Sequence, residues 1–168
     1  MTSISSESKD TQPFYSNNYP DLSLIFPIIE FQLEQRTGCI SMHALADTGC
    51  TGGLVLTKKQ VDLLEVDLSN WEKSNDYPLP VEVADGRIVG CDIYENVTLV
   101  VNGKPKKIDL SVIGEESLPV SEEPEKTKTK EEIELEDWFS QTVIIGHGYL
   151  GHYDAIFSGT QRKLLLLP

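Results

Sequence analysis

Two dipeptides, Asp85-Gly86 and Asn102-Gly103, do most to restrict what this chain can fold into. Each lies between short runs of apolar, β-branched residues. Each is a strong hairpin signal, because a type I′ turn needs positive φ at both central positions. Runs of the same kind recur along the chain at 24–33, 39–46, 54–56, 79–83, 88–94, 97–101, 108–113, 143–145, 155–157 and 164–167. Thr37-Gly38 and Ser158-Gly159 mark further turns between them. Many short strands at this spacing predict an all-β fold, either a small barrel or a sandwich. Helical text is scarce. Residues 58–64, with Thr57 as N-cap, predict one short helix.

The chain has 168 residues, enough to bury about 70% of its unfolded surface without a disulfide or metal staple. Lysine and arginine number 14 against 27 aspartates and glutamates, a net charge of -13. That balance argues against a nucleic-acid binder, which needs a basic footprint, and against a partner on an anionic membrane surface. Cys39, Cys50 and Cys91 are odd in number and lack CxxC spacing, so free thiols in a reducing compartment are expected. The first residues have neither the basic nor the apolar region of a signal peptide, and the apolar run at 22–33 is too short to span a membrane. A cytoplasmic protein is the expectation.

Residues 1–21, rich in Ser, Thr, Asn and Tyr, are read as a flexible tail ahead of one domain at 22–168. An acidic insert interrupts that domain at about 115–137, with ten carboxylates and three lysines. It is expected to be a solvated excursion. Leu135, Trp138 and Phe139, at i, i+3 and i+4, give it a possible helical face.

The run at 41–46 leads straight into Asp47-Thr48-Gly49. A strand that ends this way puts a carboxylate on a tight turn at the edge of a sheet, where Gly49 lets backbone come close. Downstream lie the hairpin tip Ala84-Asp85-Gly86-Arg87-Ile88 and then Val143-Ile144-Ile145-Gly146, apolar residues closed by glycine. This order resembles the retropepsin-like aspartic proteases, the single-domain relatives of retroviral protease, over roughly 22–167.

The resemblance implies a small closed acid-protease barrel with one short helix after Gly146. It implies an endopeptidase in which Asp47 is catalytic, Thr48 braces the loop and the Gly49 amide holds the carboxylate. Ala84, Asp85, Gly86, Arg87 and Ile88 would form a flap over a polypeptide substrate, and no cofactor is implied. The chain holds one Asp-Thr-Gly and no Asp-Ser-Gly, so a two-carboxylate mechanism requires a homodimer. The apolar end at 164–167 is expected to be covered by that dimer contact. The alternative is a non-catalytic module of the same fold that binds peptide or dimerises.

Rival signals are weaker. Gly146-His147-Gly148-Tyr149-Leu150-Gly151 matches G-x-G-x-x-G, but seventeen residues after Gly151 leave no room for the rest of a dinucleotide-binding unit. His43, His147, His152 and the cysteines lack metal-ligand spacing, so no metal site is expected. Cys50 reads as a small buried hydrophobe.

Overall fold

The computed structural model describes residues 13–14, 27–83, 86–114, 129–130, 132–134, 141–158 and 163–167. Strand β1 (Pro13–Phe14) stands apart from the main sheet. Strands β2 (Ile28–Gln35) and β3 (Gly38–Ala46) form a hairpin in register from Ile28↔Leu45 to Gln35↔Gly38. Then come β4 (Leu54–Thr57), helix α1 (Lys58–Leu63), β5 (Leu79–Glu82), β6 (Ile88–Val101), β7 (Lys104–Ile113) and β8 (Val143–Ile145). Helix α2 (His147–Leu150), β9 (Asp154–Ser158) and β10 (Lys163–Leu167) follow.

The large sheet has the order β2-β3-β8-β4-β7-β6-β5, and β6 returns to β2 through Gln32↔Val100 and Leu33↔Leu99. Six strands therefore close into a barrel, with β5 as a flange on β6. The expected all-β barrel with a short helix near the C-terminus is what forms.

Alternation builds it. On β2, Phe31 and Leu33 turn inward while Glu30, Gln32 and Glu34 face out. Leu54, Leu56, Val97, Leu99, Leu110, Val143 and Ile145 join them in the core, all at 0% exposure except the 4% of Phe31. Asn102 and Gly103 adopt φ 50° and 74°, the pair of positive values that their hairpin requires. The runs at 88–94 and 97–101 are one strand rather than two. A bulge between Tyr94 and Val97 takes up the extra residues, and Asn96 sits there at φ 58°.

Thr57 caps α1 as expected. Its hydroxyl accepts from the Gln60 amide at 3.1 Å, and the Gln60 side chain accepts from the Thr57 amide at 3.0 Å. The same Gln60 donates through Nε2 to the Thr142 carbonyl at 2.9 Å, tying α1 to the entrance of β8.

Strands β9 and β10 form a terminal hairpin, and β1 adds to its far side through Pro13↔Leu165 and Phe14↔Leu164. Leu164 and Leu166 are 0% and 2% exposed within the single chain. A dimer contact is the expected cover of 164–167; at these two positions the single chain already buries the leucines. Pro13–Phe14 belong to the stretch read as a tail; the remainder of 1–21 lies outside the described residues.

Of the acidic insert, a single helical turn is described. Thr129 and Glu132 exchange capping bonds of 2.7 and 3.2 Å, and Lys130 pairs with Glu134 at 3.7 Å. Leu135, Trp138 and Phe139 lie outside the described residues, as do Ala84 and Asp85 of the hairpin tip.

Candidate active site

Strands β3 and β4 flank the loop that carries Asp47, yet they do not pair with each other. Strand β8 lies between them. It runs parallel to β3 through Ala44↔Val143, Leu45↔Ile144 and Ala46↔Ile145, and antiparallel to β4 through Leu54↔Ile145 and Val55↔Ile144. A three-residue strand flanked on both sides must be apolar to belong there, and Val143 and Ile145 are fully buried.

The loop is fastened from several directions. The Asp47 amide donates to the Ile145 carbonyl at 2.9 Å, and the Cys50 amide to the Asp47 carbonyl at 3.3 Å. The Gly49 amide donates to Asp47 Oδ1 at 2.8 Å, which fixes one carboxylate oxygen toward the loop. Asp47 is half-buried, and Thr48 and Gly49 are exposed at the turn.

A second backbone segment clasps the far side of the loop. The amides of Gly146, His147 and Gly148 donate to the carbonyls of Gly53 (3.0 Å), Cys50 (2.8 Å) and Gly52 (3.0 Å). Such close approach leaves no room for side chains. A Cβ on Gly146 would lie 2.5 Å from the carbonyl oxygens of both Cys50 and Gly52, and one on Gly148 would lie 2.6 Å from the Gly53 Cα. Gly53 is confined in turn, since a Cβ there would meet the Asp109 carbonyl at 2.6 Å. The G-x-G-x-x-G match thus has a local use: its first two glycines admit the Asp47 loop. Tyr149 and Leu150, 2% and 3% exposed, anchor α2 in the core behind this clasp.

Cys50 is half-buried. Burial pushes its thiol up, the Gly52 amide opposes that, and the Asp47 carboxylate adds to it. A thiol held protonated in this way is a poor nucleophile, in keeping with a packing role.

The predicted site residues fall into two groups. Asp47, Thr48 and Gly49 share the loop between β3 and β4. Gly86, Arg87 and Ile88 belong to the β5–β6 hairpin, where Gly86 adopts φ 82° and the Val83 amide donates to the Arg87 carbonyl at 2.9 Å. That hairpin ends in β5, the outermost strand of its sheet, and Leu79 and Ile88 are 44% and 54% exposed on it.

His43 lies on β3 and links it to the entrance of β8. Its Nε2 lies 3.0 Å from Thr142 Oγ1, the residue just before β8. Burial lowers the His43 pKa, and the facing Glu30 pulls the other way. Sequence reasoning missed the joint between His43, Thr142 and Gln60. Only the capping partner Gln60, at N3 of α1, left a local signal. Among the described residues, no group of three or more His, Cys, Asp or Glu side chains could hold a metal ion.

A scan against models of known protein families matches none, and a search of curated proteins finds no significant match.

Proposed function

We propose that the chain is an aspartic endopeptidase of the retropepsin-like kind, active as a homodimer. One observation carries the reading. An Asp-Thr-Gly loop bridges two strands that are separated by a threaded apolar strand, and a glycine segment holds that loop rigidly from behind. Chemistry that depends on a precisely placed carboxylate calls for such a mount.

Each chain supplies one Asp-Thr-Gly, so a twofold axis is needed to set two Asp47 side chains side by side. Two carboxyl groups that close share one proton, because both cannot be ionised together. The ionised Asp47 takes a proton from a water, whose oxygen attacks the scissile carbonyl carbon. The protonated Asp47 of the other chain gives its proton to the carbonyl oxygen. Collapse of the tetrahedral intermediate breaks the C–N bond, and the leaving amine is protonated by the pair. The Gly49 amide keeps the carboxylate oriented through both steps. Thr48, exposed beside it, is free to brace the loop of the second chain. The hairpin with Gly86, Arg87 and Ile88 would lie along an extended polypeptide and add strand-like hydrogen bonds.

Refolding wild type with an equal amount of Asp47→Asn tests this. Random pairing makes about one quarter of the dimers fully wild type, and the total number of dimers doubles. Cleavage of an unfolded substrate protein at mildly acidic pH should fall to about half that of the same wild-type protein refolded alone. Undiminished activity would mean that each chain works by itself. If wild-type protein cleaves nothing, the non-catalytic module is the correct reading.

A further inference from the structure

A cavity of about 590 Å³ opens on the outer face of β2 and β3, and no residue of the Asp47 loop lines it. The strand register explains its chemistry. Glu30 faces His43 and Gln32 faces Ser41 across the hairpin, and Gln32 also faces Val100 of β6. Alternate residues of a strand share a face, so Glu30, Gln32, Ser41 and His43 form one polar quartet while Phe31 and Met42 turn into the core. The Asn102-Gly103 turn completes the lining.

The quartet favours positive charge. Among the described residues that line the cavity, Glu30 carries the one fixed charge, and none is a lysine or arginine. Among the described residues no ion pair involves Glu30. Gln32, Ser41 and Asn102 add oxygen acceptors around it. Burial drives His43 toward its neutral form, so it supplies no competing cation. The net charge of -13 strengthens the attraction over a longer range.

We propose that this cavity binds an arginine side chain presented by a polypeptide, at a site separate from the Asp47 loop. A guanidinium matches a carboxylate through two parallel hydrogen bonds and has further N–H groups for the amide and hydroxyl acceptors. The depression is broad, polar and open to solvent, so it can take a side chain laid along the surface of the sheet. Its extent is more than one side chain fills, which leaves room for the flanking backbone.

The test is an amide-resolved NMR titration of the full chain with acetyl-Gly-Arg-Gly-amide at about 0.15 M salt, where long-range attraction is screened. Parallel arms use the glutamine analogue of that peptide and free argininamide. Saturable shifts confined to residues 30–32, 41–43 and 102–103 are expected with the arginine peptide, weaker ones with argininamide, and none with the glutamine peptide. Glu30→Gln should weaken binding about two- to fivefold, the usual effect of removing one partner of an exposed ion pair. Should Glu30→Gln fail to fold, Gln32→Leu at the neighbouring exposed position must give the same loss. Shifts scattered over the acidic surface, or equal binding of the glutamine peptide, would overturn the site. Argininamide binding as tightly as the peptide would overturn the polypeptide source. None of these outcomes depends on whether the Asp47 loop is catalytic.

Discussion

Replacing Gly146 by alanine puts one methyl group where the clasp and the Asp47 loop meet. That Cβ would sit 2.5 Å from two carbonyl oxygens, of Cys50 and Gly52, and 2.9 Å from the Cys50 sulfur. The oxygens belong to the backbone, so rotating a side chain cannot relieve the contact. Either the loop or the 146–148 segment has to move. Overpacking of this kind costs about 1–3 kcal/mol, and weakening the three clasping hydrogen bonds adds about 1 kcal/mol for each one lost. The sum is about 3 kcal/mol or more. For a chain of this size that lowers the thermal midpoint by roughly 6–12 °C.

Gly103→Ala is the control. Unlike Gly146, which is extended at φ -111°, Gly103 carries a positive φ of 74°, and nothing lies within 4 Å of its absent Cβ. Its cost is the left-handed backbone penalty alone, about 1–2 kcal/mol. Circular dichroism melts should place Gly146→Ala well below Gly103→Ala. Peptide hydrolysis at a temperature where both remain folded should separate them further, since a shift of about 1 Å in a reacting group can cost on the order of 100-fold. Equal midpoints and equal activities for the two variants would refute the claim that the clasp positions Asp47.

Thr57→Ala removes the capping box of α1 and should cost about 1 kcal/mol in urea unfolding, with no effect on cleavage. Leu166→Ala, at a site 2% exposed within one chain, should cost about 2–5 kcal/mol, and the loss should not depend on protein concentration if the burial is intramolecular as the structure has it. His43 has a folded pKa below its ordinary value near 6.5, because burial disfavours the charged ring. The unfolded chain therefore takes up the proton first. Stability is intact above about pH 6.5 and falls as the pH drops toward the lower folded value. His43→Gln should remove that part of the acid destabilisation, read as the difference between the two stability–pH curves, and parallel curves would count against it.

Local features were legible where local physics decides them. The alternation of Phe31 and Leu33 with Glu30 and Gln32, the Asn102-Gly103 turn and the Thr57 cap each depend on neighbours a few residues apart. The Asp47 turn belongs with them, because the Gly49 amide reaches Oδ1 from two residues away. The bulge at Asn96 was less clear, since a break in apolar text looks the same whether a strand ends or swells. What no local signal could supply was the mount behind Asp47. His43 and Thr142, which mark where β3 and β8 come together, are 99 residues apart, and β8 itself is three residues long. Gly146 and Gly148 do record that something must approach closely, but a missing Cβ carries no information about which backbone does so. Read by spacing, the pair suggests a pyrophosphate; in the fold, the approaching groups are the carbonyls of Cys50, Gly52 and Gly53. Those three residues lie in the same loop as the candidate nucleophile activator. A substitution at 146 or 148 should therefore reach Asp47 by displacing its loop, although neither glycine carries a side chain that could take part in the chemistry.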